Sequence, residues 1–572
     1  MNITILSGGT GNDSLITGLK QFYPDADIKV VVNAYDNGKS TGICRKITDT
    51  LGVSDIRKNH IRMYKATTDI LDQRLIEFFE NRYDLTPGEE YVDVSKYLRL
   101  WGLPQLDKYA QTFFANPVAK TYTYHSFNIA NIIYSQMYKE LGYEETNQYF
   151  CNLLGIDDFV LLNSFDNIYI GAVTKSGNTL DDEGLIVDYR NSEDPIVSIS
   201  YDYTHGECVN GLNRKAVDAV LNADILIIST GTFWSSIYPT LEYLNFYSYV
   251  NLSKAKKIWA INNEEDGDSY GISSNDFITY VHDLGLQLNK FTILENTDSI
   301  ASLHEPNTNY NIAYHSMGNY NGKHDGGKYV KAILKIFYNL DSLANYDRVI
   351  FDFDDTIWSR DSKLLNFSVE NVKLLNNNPD KYLIISGNSY RSIHEKLSIV
   401  YGTDLADFNV HMWADANTIH YYHAKPVEYY NNILLADNYT DIIDKLQSWS
   451  ITDVEVNDSS HPAYIKIKPL TQLERTLLVN LLDSTILNSI NNKKYQAKAI
   501  PSGFTTVDII HTDNTKGKLF EYISDRFDGD NILYLGDEFD SGNDRDIAKL
   551  CKHAICVRSA KETNIILKLL EE

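Results

Sequence analysis

Cysteine is scarce. The chain of 572 residues has five, Cys44, Cys151, Cys208, Cys551 and Cys556, an odd number with no Cys-x-x-Cys spacing. That argues against a disulfide scaffold and a zinc site, and reduced thiols in a cytoplasmic protein are the expectation. No apolar run approaches the roughly 20 residues of a membrane-spanning helix. The stretch from Met1 to Gly9 has neither the basic start nor the long apolar core of a secretory signal; it reads as a strand and a loop. Basic charge is in deficit, 52 Lys and Arg against 77 Asp and Glu, for a net charge of −25. This argues against non-specific nucleic-acid binding and against an anionic membrane surface, though local anion sites override net charge. Neither a fixed-period repeat nor a low-complexity linker is present. What remains, 43% hydrophobic and 23% charged, is ordinary for globular domains, and the length suggests two to four of them.

The most informative stretch is Val349 to Thr356. An apolar run ends there in carboxylates two residues apart, Asp352 and Asp354. A fully buried strand reads this way, and acids just past its end are aimed at a pocket. Taken alone, the pattern fits a helix-capping acid equally well. Its downstream partners shift the balance. A second apolar run, Leu383 to Ile385, ends in Ser386; Lys516 stands ahead of a helical segment, with Lys518 as competitor; a third run, Ile532 to Gly536, ends in Asp537, followed by Asp544. An acid nucleophile, a hydroxyl, a lysine and a second acid pair are what Mg²⁺-assisted phosphoryl transfer requires, with carboxylate oxygens completing the ion's shell.

In order and local pattern, residues 346–572 resemble the haloacid dehalogenase (HAD) superfamily of phosphohydrolases. The resemblance implies Asp352 as nucleophile, Asp354 as general acid and base, and Ser386 and Lys516 as phosphate ligands. It implies Mg²⁺ held by Asp352, Asp354 and Asp537 with Asp544, or Asp540 in its place. Asp355 stands where many relatives have glycine and reads as a cap of the following helix. About 34 residues separate the first two motifs, and about 130 separate the second from the third. By resemblance the longer interval holds an inserted cap, about residues 395–505, of the kind typical of sugar-phosphate and small-metabolite phosphatases.

The N-terminal half opens with a strand, Asn2 to Leu6, a glycine turn and a helix from Asp13 to about Phe22. That arrangement is a ready anion site, or only a tight turn. The next strand, Ile28 to Asn33, runs into a loop with Asp36, Asn37 and Ser40. Asp36 reads as a metal or ligand contact in preference to a cap. Asp55, Arg57 and Asn59 form a polar cluster in which Arg57 grips phosphate or makes a surface salt bridge. Residues 84–122 read as mostly helical, broken at Trp101 to Pro104. A helix over 211–222 leads into the strand Ile225 to Ile228. The alternation predicts a doubly wound parallel sheet, with loops 7–12, 33–42, 229–236 and 262–271 around one nucleotide pocket. The acids of 262–268 either hold Mg²⁺ or form a solvated loop.

These loops, with Tyr124 to Asn131 and Ala223 to Tyr238, resemble the CofD/YvcK-like family over about residues 1–335. One branch of that family transfers a phospholactyl-type group from a guanosine diphosphate donor with Mg²⁺; the other binds UDP-sugars, and this sequence sits nearer the second. The resemblance implies nucleotide or substrate contacts at Gly8, Gly9, Thr10, Gly11, Asn12, Asp36, Asn37, Ser40, Asp55, Arg57, Asn59, His125, Asn131, Gly231, Thr232, Ser235 and Ser236. Asn37 replaces the family's second acid. Two extra residues after His125 leave either Asn128 or Asn131 for the family's asparagine. A single histidine such as His125 is more often structural than catalytic.

The sequence thus predicts an α/β protein of two doubly wound Rossmann-like domains, 1–340 and 346–572, the second a HAD-type core with a small α/β cap. The expected function is bifunctional. A CofD-like transferase or nucleotide(-sugar)-binding domain is joined to a Mg²⁺-dependent phosphatase that acts on a small phosphorylated metabolite through an aspartyl-phosphate. The alternative is a UDP-sugar-binding module that regulates the phosphatase. Expected partners are that metabolite and a nucleotide or nucleotide-sugar, with no nucleic acid and no membrane; a homodimer is also expected.

Overall fold

A computed structural model describes residues 1–8, 11–203, 211–263, 267–299, 309–319, 322–360, 368–401, 410–423, 425–429, 439–456, 464–468, 471–488, 496–502, 506–526, 531–540 and 543–571. The chain divides into two compact units, Met1–Asn339 and Leu340–Glu572.

In the first unit, short β-branched runs make the strands. Ile3, Ile5, Val30 to Val32 and Ile225 to Ile228 are all buried, the pattern of parallel strands covered on both faces. The sheet has seven strands, in the order Asn311–His315, Phe291–Asn296, Lys256–Ala260, Ile225–Ile228, Asn2–Leu6, Asp27–Val32 and Val160–Leu162. Every pairing in it is parallel. From the first strand the chain proceeds to one side, then returns to build the other, so the order reverses beside Asn2–Leu6. Leu6 is in register with both Val31 and Ile228. The loops after these three strands therefore emerge together at the switch point, where such sheets bind ligands. A separate three-stranded antiparallel sheet is formed by Tyr169–Thr174, Thr179–Leu180 and Ile196–Asp202. The expected helices are present at Asp13–Phe22, Glu90–Leu100, Asp107–Ala115 and Arg214–Leu221, and a further one runs Gly326–Tyr338.

The second unit repeats the logic. Its main sheet runs Lys425–Tyr429, Ile419–Tyr422, His411–Ala414, Tyr382–Ile385, Arg348–Phe351, Ile532–Gly536 and His553–Cys556. The first two strands are an antiparallel extension and the other five are parallel. A smaller antiparallel sheet, Val454–Val456, Ile465–Ile467, Thr506–His511 and Ala497–Ser502, has its own apolar cluster with Ile442, Leu446 and Leu482 from two helices. These boundaries correct the expected cap at 395–505. The helix Tyr390–Tyr401 follows directly from a core strand, and Leu383 to Ile385 pair in parallel with His411 to Trp413, so those residues belong to the main sheet. The small sheet, in turn, extends to His511. Spacing between motifs cannot divide an insertion between two sheets; only strand pairing does. Among the described residues no helix is long and apolar enough to cross a membrane.

Candidate active site and candidate ligand site

Three neighbouring parallel strands of the second unit deliver the acid-rich site. Phe351 is in register with Ile384 and Leu535, so Asp352, Ser386 and Asp537 leave adjacent strand ends. Asp544, fully buried, completes the group: Asp352, Asp537 and Asp544 each offer an oxygen, all within 4.8 Å of one another. Tyr534 donates its hydroxyl to Asp544 Oδ1 at 2.7 Å, and the Asp537 amide donates to Oδ2 at 3.1 Å. Asp544 lies so close to Gly536 that a Cβ there would collide with its carboxylate. Asp540 is exposed and stands outside this three-acid group.

Lys516 opens a helix capped by Thr515, and its buried amine pairs with Asp352 Oδ1 at 2.6 Å and with Asp544. Burial alone would lower the Lys516 pKa; the two carboxylates outweigh it and hold the amine protonated. Burial and the crowding of Asp544 and Asp537 raise Asp352 against the pull of Lys516. Asp537 is pushed up to about 6 by burial and by Asp544. Lys518, the competitor, pairs with Glu521 on the surface. Ser386 is buried, and its Oγ accepts from the Asn388 amide at 3.1 Å.

Two expectations need correction here. The Asp354 carboxylate is not part of the three-acid group. It accepts from Lys396 at 2.8 Å and from Asn388 at 2.8 Å, because the chain turns after Asp352. Burial would raise its pKa, but Lys396 and Asn388 bring it down. Nor does Asp355 cap a helix. It has a φ of 52° and closes a turn by accepting from the Arg360 amide at 2.9 Å and from Nε. Arg360 reaches on to Asp537 at 3.1 Å. Lys396 and Arg360 escaped sequence reasoning: each lies in a polar segment with no local motif, and only the fold brings it to the acids. The space enclosed by Asp352, Asp354, Arg360, Ser386 and Asp537 is about 30 Å³.

In the first unit the predicted residues gather at the switch point. Gly8 lies against Ser236, and Gly11 so close to Thr230 that a Cβ on either glycine would collide. Asn12 donates to Asn59 at 3.3 Å, and Asn59 to the Asp55 carbonyl at 2.9 Å. Thr232, Ser235 and Ser236 form a hydroxyl chain, with contacts of 2.7 and 2.8 Å. The Gly231 amide donates to Asn262 at 3.0 Å. Asp36 accepts from the Gly38 amide at 2.9 Å; burial and Asp55 raise its pKa. Glu183, on a helix far along the chain, is likewise driven up by burial, Asp36 and Asp55. Sequence reasoning missed it for want of any motif around it. Gly9, Thr10 and the acids Glu264, Glu265 and Asp266 lie outside the described residues.

Three further placements differ from expectation. Arg57 is buried, its Nε donating to Asn131 at 2.8 Å and its Nη1 to the Phe79 carbonyl, so these nitrogens bind the protein rather than a phosphate. Asn131 also donates to Ser40 at 3.1 Å, whereas Asn128 caps the helix Ile129–Leu141. His125 has a side chain 70% exposed and stands 3.6 Å from Asp84, away from the buried polar group. Asn37 is spent structurally, donating to the Ile170 carbonyl and accepting from the Glu183 amide.

A parallel sheet with glycine, hydroxyl and acid loops converging at its switch point defines the first unit as a doubly wound α/β domain. Residues 3–331 match the family model described as 2-phospho-L-lactate transferase CofD, and the chain belongs to that family. A putative gluconeogenesis factor from Thermoanaerobacterium thermosulfurigenes is 23% identical over 296 residues, which cover 51% of this chain and 77% of the relative. A solved structure of a UPF0052-family member from Bacillus halodurans is 18% identical, covers 58% of this chain and 99% of that one, and has a TM-score of 0.44. The truncated IMP-nucleotidase of Plasmodium falciparum is 15% identical, covering 42% of this chain and 74% of that one with a TM-score of 0.31.

Proposed function

We propose that the second unit is a Mg²⁺-dependent phosphohydrolase of the HAD type and that the first binds a nucleotide or nucleotide-sugar for group transfer. The observation that carries the first part is the group of Asp352, Asp537 and Asp544, the first and last buried, with Lys516 paired to Asp352, the proposed nucleophile. Three hard carboxylate donors fit Mg²⁺; when bound, the ion would offset charge on the transferring phosphoryl oxygens. The Asp352 oxygen opposite the Lys516 contact attacks phosphorus, and the ester P–O bond breaks. Ser386 and Lys516 orient the phosphoryl oxygens. Asp354, which Lys396 and Asn388 keep ionised in the free protein, would exchange the proton only once substrate displaces those contacts: protonated then, it supplies the leaving oxygen and afterwards takes a proton from the water that opens the aspartyl-phosphate. Phosphate release from small organophosphates with Mg²⁺ tests this. Asp352→Asn should lower kcat by about a thousandfold or more, as loss of a nucleophile does; equal rates for variant and wild type would sink the assignment.

For the first unit, family membership supports group transfer. A second reading, a sensor that binds its ligand without turnover, is favoured by Asn37, which stands where the family has a second acid and is tied up in protein contacts. Incubation with guanosine- and uridine-diphosphate donors separates the two. Release of a nucleoside phosphate means transfer, and full recovery of a bound ligand means sensing.

A further inference from the structure

The helix Gln472–Leu482 of the second unit has a face that its own sheet does not cover. On the inner side Leu482 is fully buried, and Leu478 and Val479 pack on the apolar cluster of the small sheet. Leu473, Leu477 and Leu481 are 72%, 61% and 46% exposed. Residues four apart lie one above another on a helix, so these three form a ridge. Thr476, Asn480 and Ser484, three residues beyond each leucine, are exposed and uncharged. The two acids of this segment are engaged by the protein: Glu474 closes a capping box with Thr471, and Asp483 accepts from the Ala499 amide at 2.7 Å. Beside the ridge runs an open groove of about 460 Å³, whose apolar lining is Ile451, Ile467, Leu477, Leu478 and Leu481, with Ser450 and Thr452 as neutral polar groups. Of its charged residues Lys468 pairs with Glu455, Glu474 is in the capping box, and Asp453 stands exposed at the edge. Leu473, the most exposed leucine, lies outside the groove.

We propose that this face joins two copies of the chain, their helices packed antiparallel about a twofold axis at Leu477. An exposed knob and an open groove on one helix are the two halves of such a self-complementary contact. Leu477 then meets its counterpart, and Leu473 of each copy lies opposite Leu481 of the other, over the other's groove. Ridges four apart interdigitate in this way at a crossing angle of about −50°. Charge selects the occupant. Two chains of net charge −25 repel over most of their surface, and a neutral face lets them meet without opposing like charges. Area bounds the strength. The three leucines expose about 300 Å² per copy, the scale of patch that marks an interaction site. The twofold axis doubles this to about half of the roughly 1,200 Å² buried by the smaller stable interfaces, and leaves the other half to the groove and the neutral flank. A contact of that size is reversible, with an expected Kd of about micromolar.

The test is sedimentation equilibrium of the full chain at about 1–100 µM, the range that brackets such a Kd. The mean particle mass of wild type should rise with concentration. Leu477→Glu sets two carboxylates against each other on the axis and should lower the mass at the top of the range about twofold. Leu477→Lys should do the same with two ammonium groups. An equimolar mixture of the two variants should recover the wild-type mass, because position 477 of one copy faces position 477 of the other and the charges now attract. Leu477 is 61% exposed, so neither substitution disturbs the core; far-UV circular dichroism verifies that both variants are folded. A wild type that stays monomeric, a folded Leu477→Glu protein of unchanged mass, or a mixture that remains dissociated each overturns the proposal.

Discussion

His60 shows how burial fixes the chemistry of a single side chain. It is fully buried in the first unit, with Nδ1 2.7 Å from the Tyr134 hydroxyl and Nε2 beside Cys151. Burial lowers its pKa to about 4, below the roughly 6.5 of an unfolded chain. Between those values the unfolded state binds the proton and the folded state refuses it. Stability from this residue is therefore complete above pH ~6.5 and is lost as pH falls toward ~4, at about 1.4 kcal/mol per pH unit. Urea unfolding at pH 7 and pH 5 should show a smaller pH effect in His60→Gln than in wild type; equal effects would mean that His60 is protonated in the native state. At this scale the sequence was most legible where a chemical residue ended an apolar run, as with Asp352, Ser386 and Asp537. Glu183, Lys396 and Arg360 were not legible, because their partners lie far away in sequence or in segments without pattern. Arg57 misled for a related reason: a charged residue in a polar cluster reads as exposed, and the helix Ser54–Thr67 turns it inward.

Elements were read with more success than their assembly. The helix Asp13–Phe22 and the strand before it fall where the glycine turn placed them. The turn itself is fixed by sterics. A Cβ on Gly11 would be driven into the Thr230 carbonyl, backbone against backbone, so neither side can yield as a flexible side chain would. The loops after Leu6 and after Ile228 would have to part. We expect Gly11→Ala to cost about 1–3 kcal/mol, the range of overpacking, and to weaken nucleotide or nucleotide-sugar binding at the same loops. Thermal melting and titration calorimetry read both; unchanged values would show that the loops are not locked together. The cap boundary was the element-level miss. Val410, Met412, Trp413 and Ala414 are buried as in any core strand, with only His411 partly exposed, yet nothing local tells whether the run joins the main sheet or an inserted one. That choice is made by pairing with Tyr382–Ile385.

At the scale of the molecule, two series of strand-end motifs made two α/β units legible, while what one unit does for the other left no mark in the pattern. Each unit has its own apolar cluster, one around Leu226, Trp234 and Ile293, the other around Ile350, Tyr534 and Ile547. An ion bound by the three carboxylates should therefore act on the second unit's unfolding alone. Binding to the native state stabilises by RT ln(1 + [L]/Kd), about 2.7 kcal/mol at a hundredfold excess over Kd. Its sign with pH is set by Asp537. Without metal the folded carboxyl, raised to about 6, holds a proton that the unfolded chain releases near pH ~4. The metal-free unit thus gains stability as pH falls from ~6 toward ~4 and loses it as pH rises through ~6. Mg²⁺ requires the ionised form, and its effect runs the other way. In calorimetry of the full chain at pH 7.5 we expect Mg²⁺ to raise the transition of the second unit and leave the other in place. The shift should fade below pH ~6 and vanish in Asp544→Asn. A shift that survives Asp544→Asn would place the ion elsewhere, and with it the charge that the phosphoryl chemistry requires.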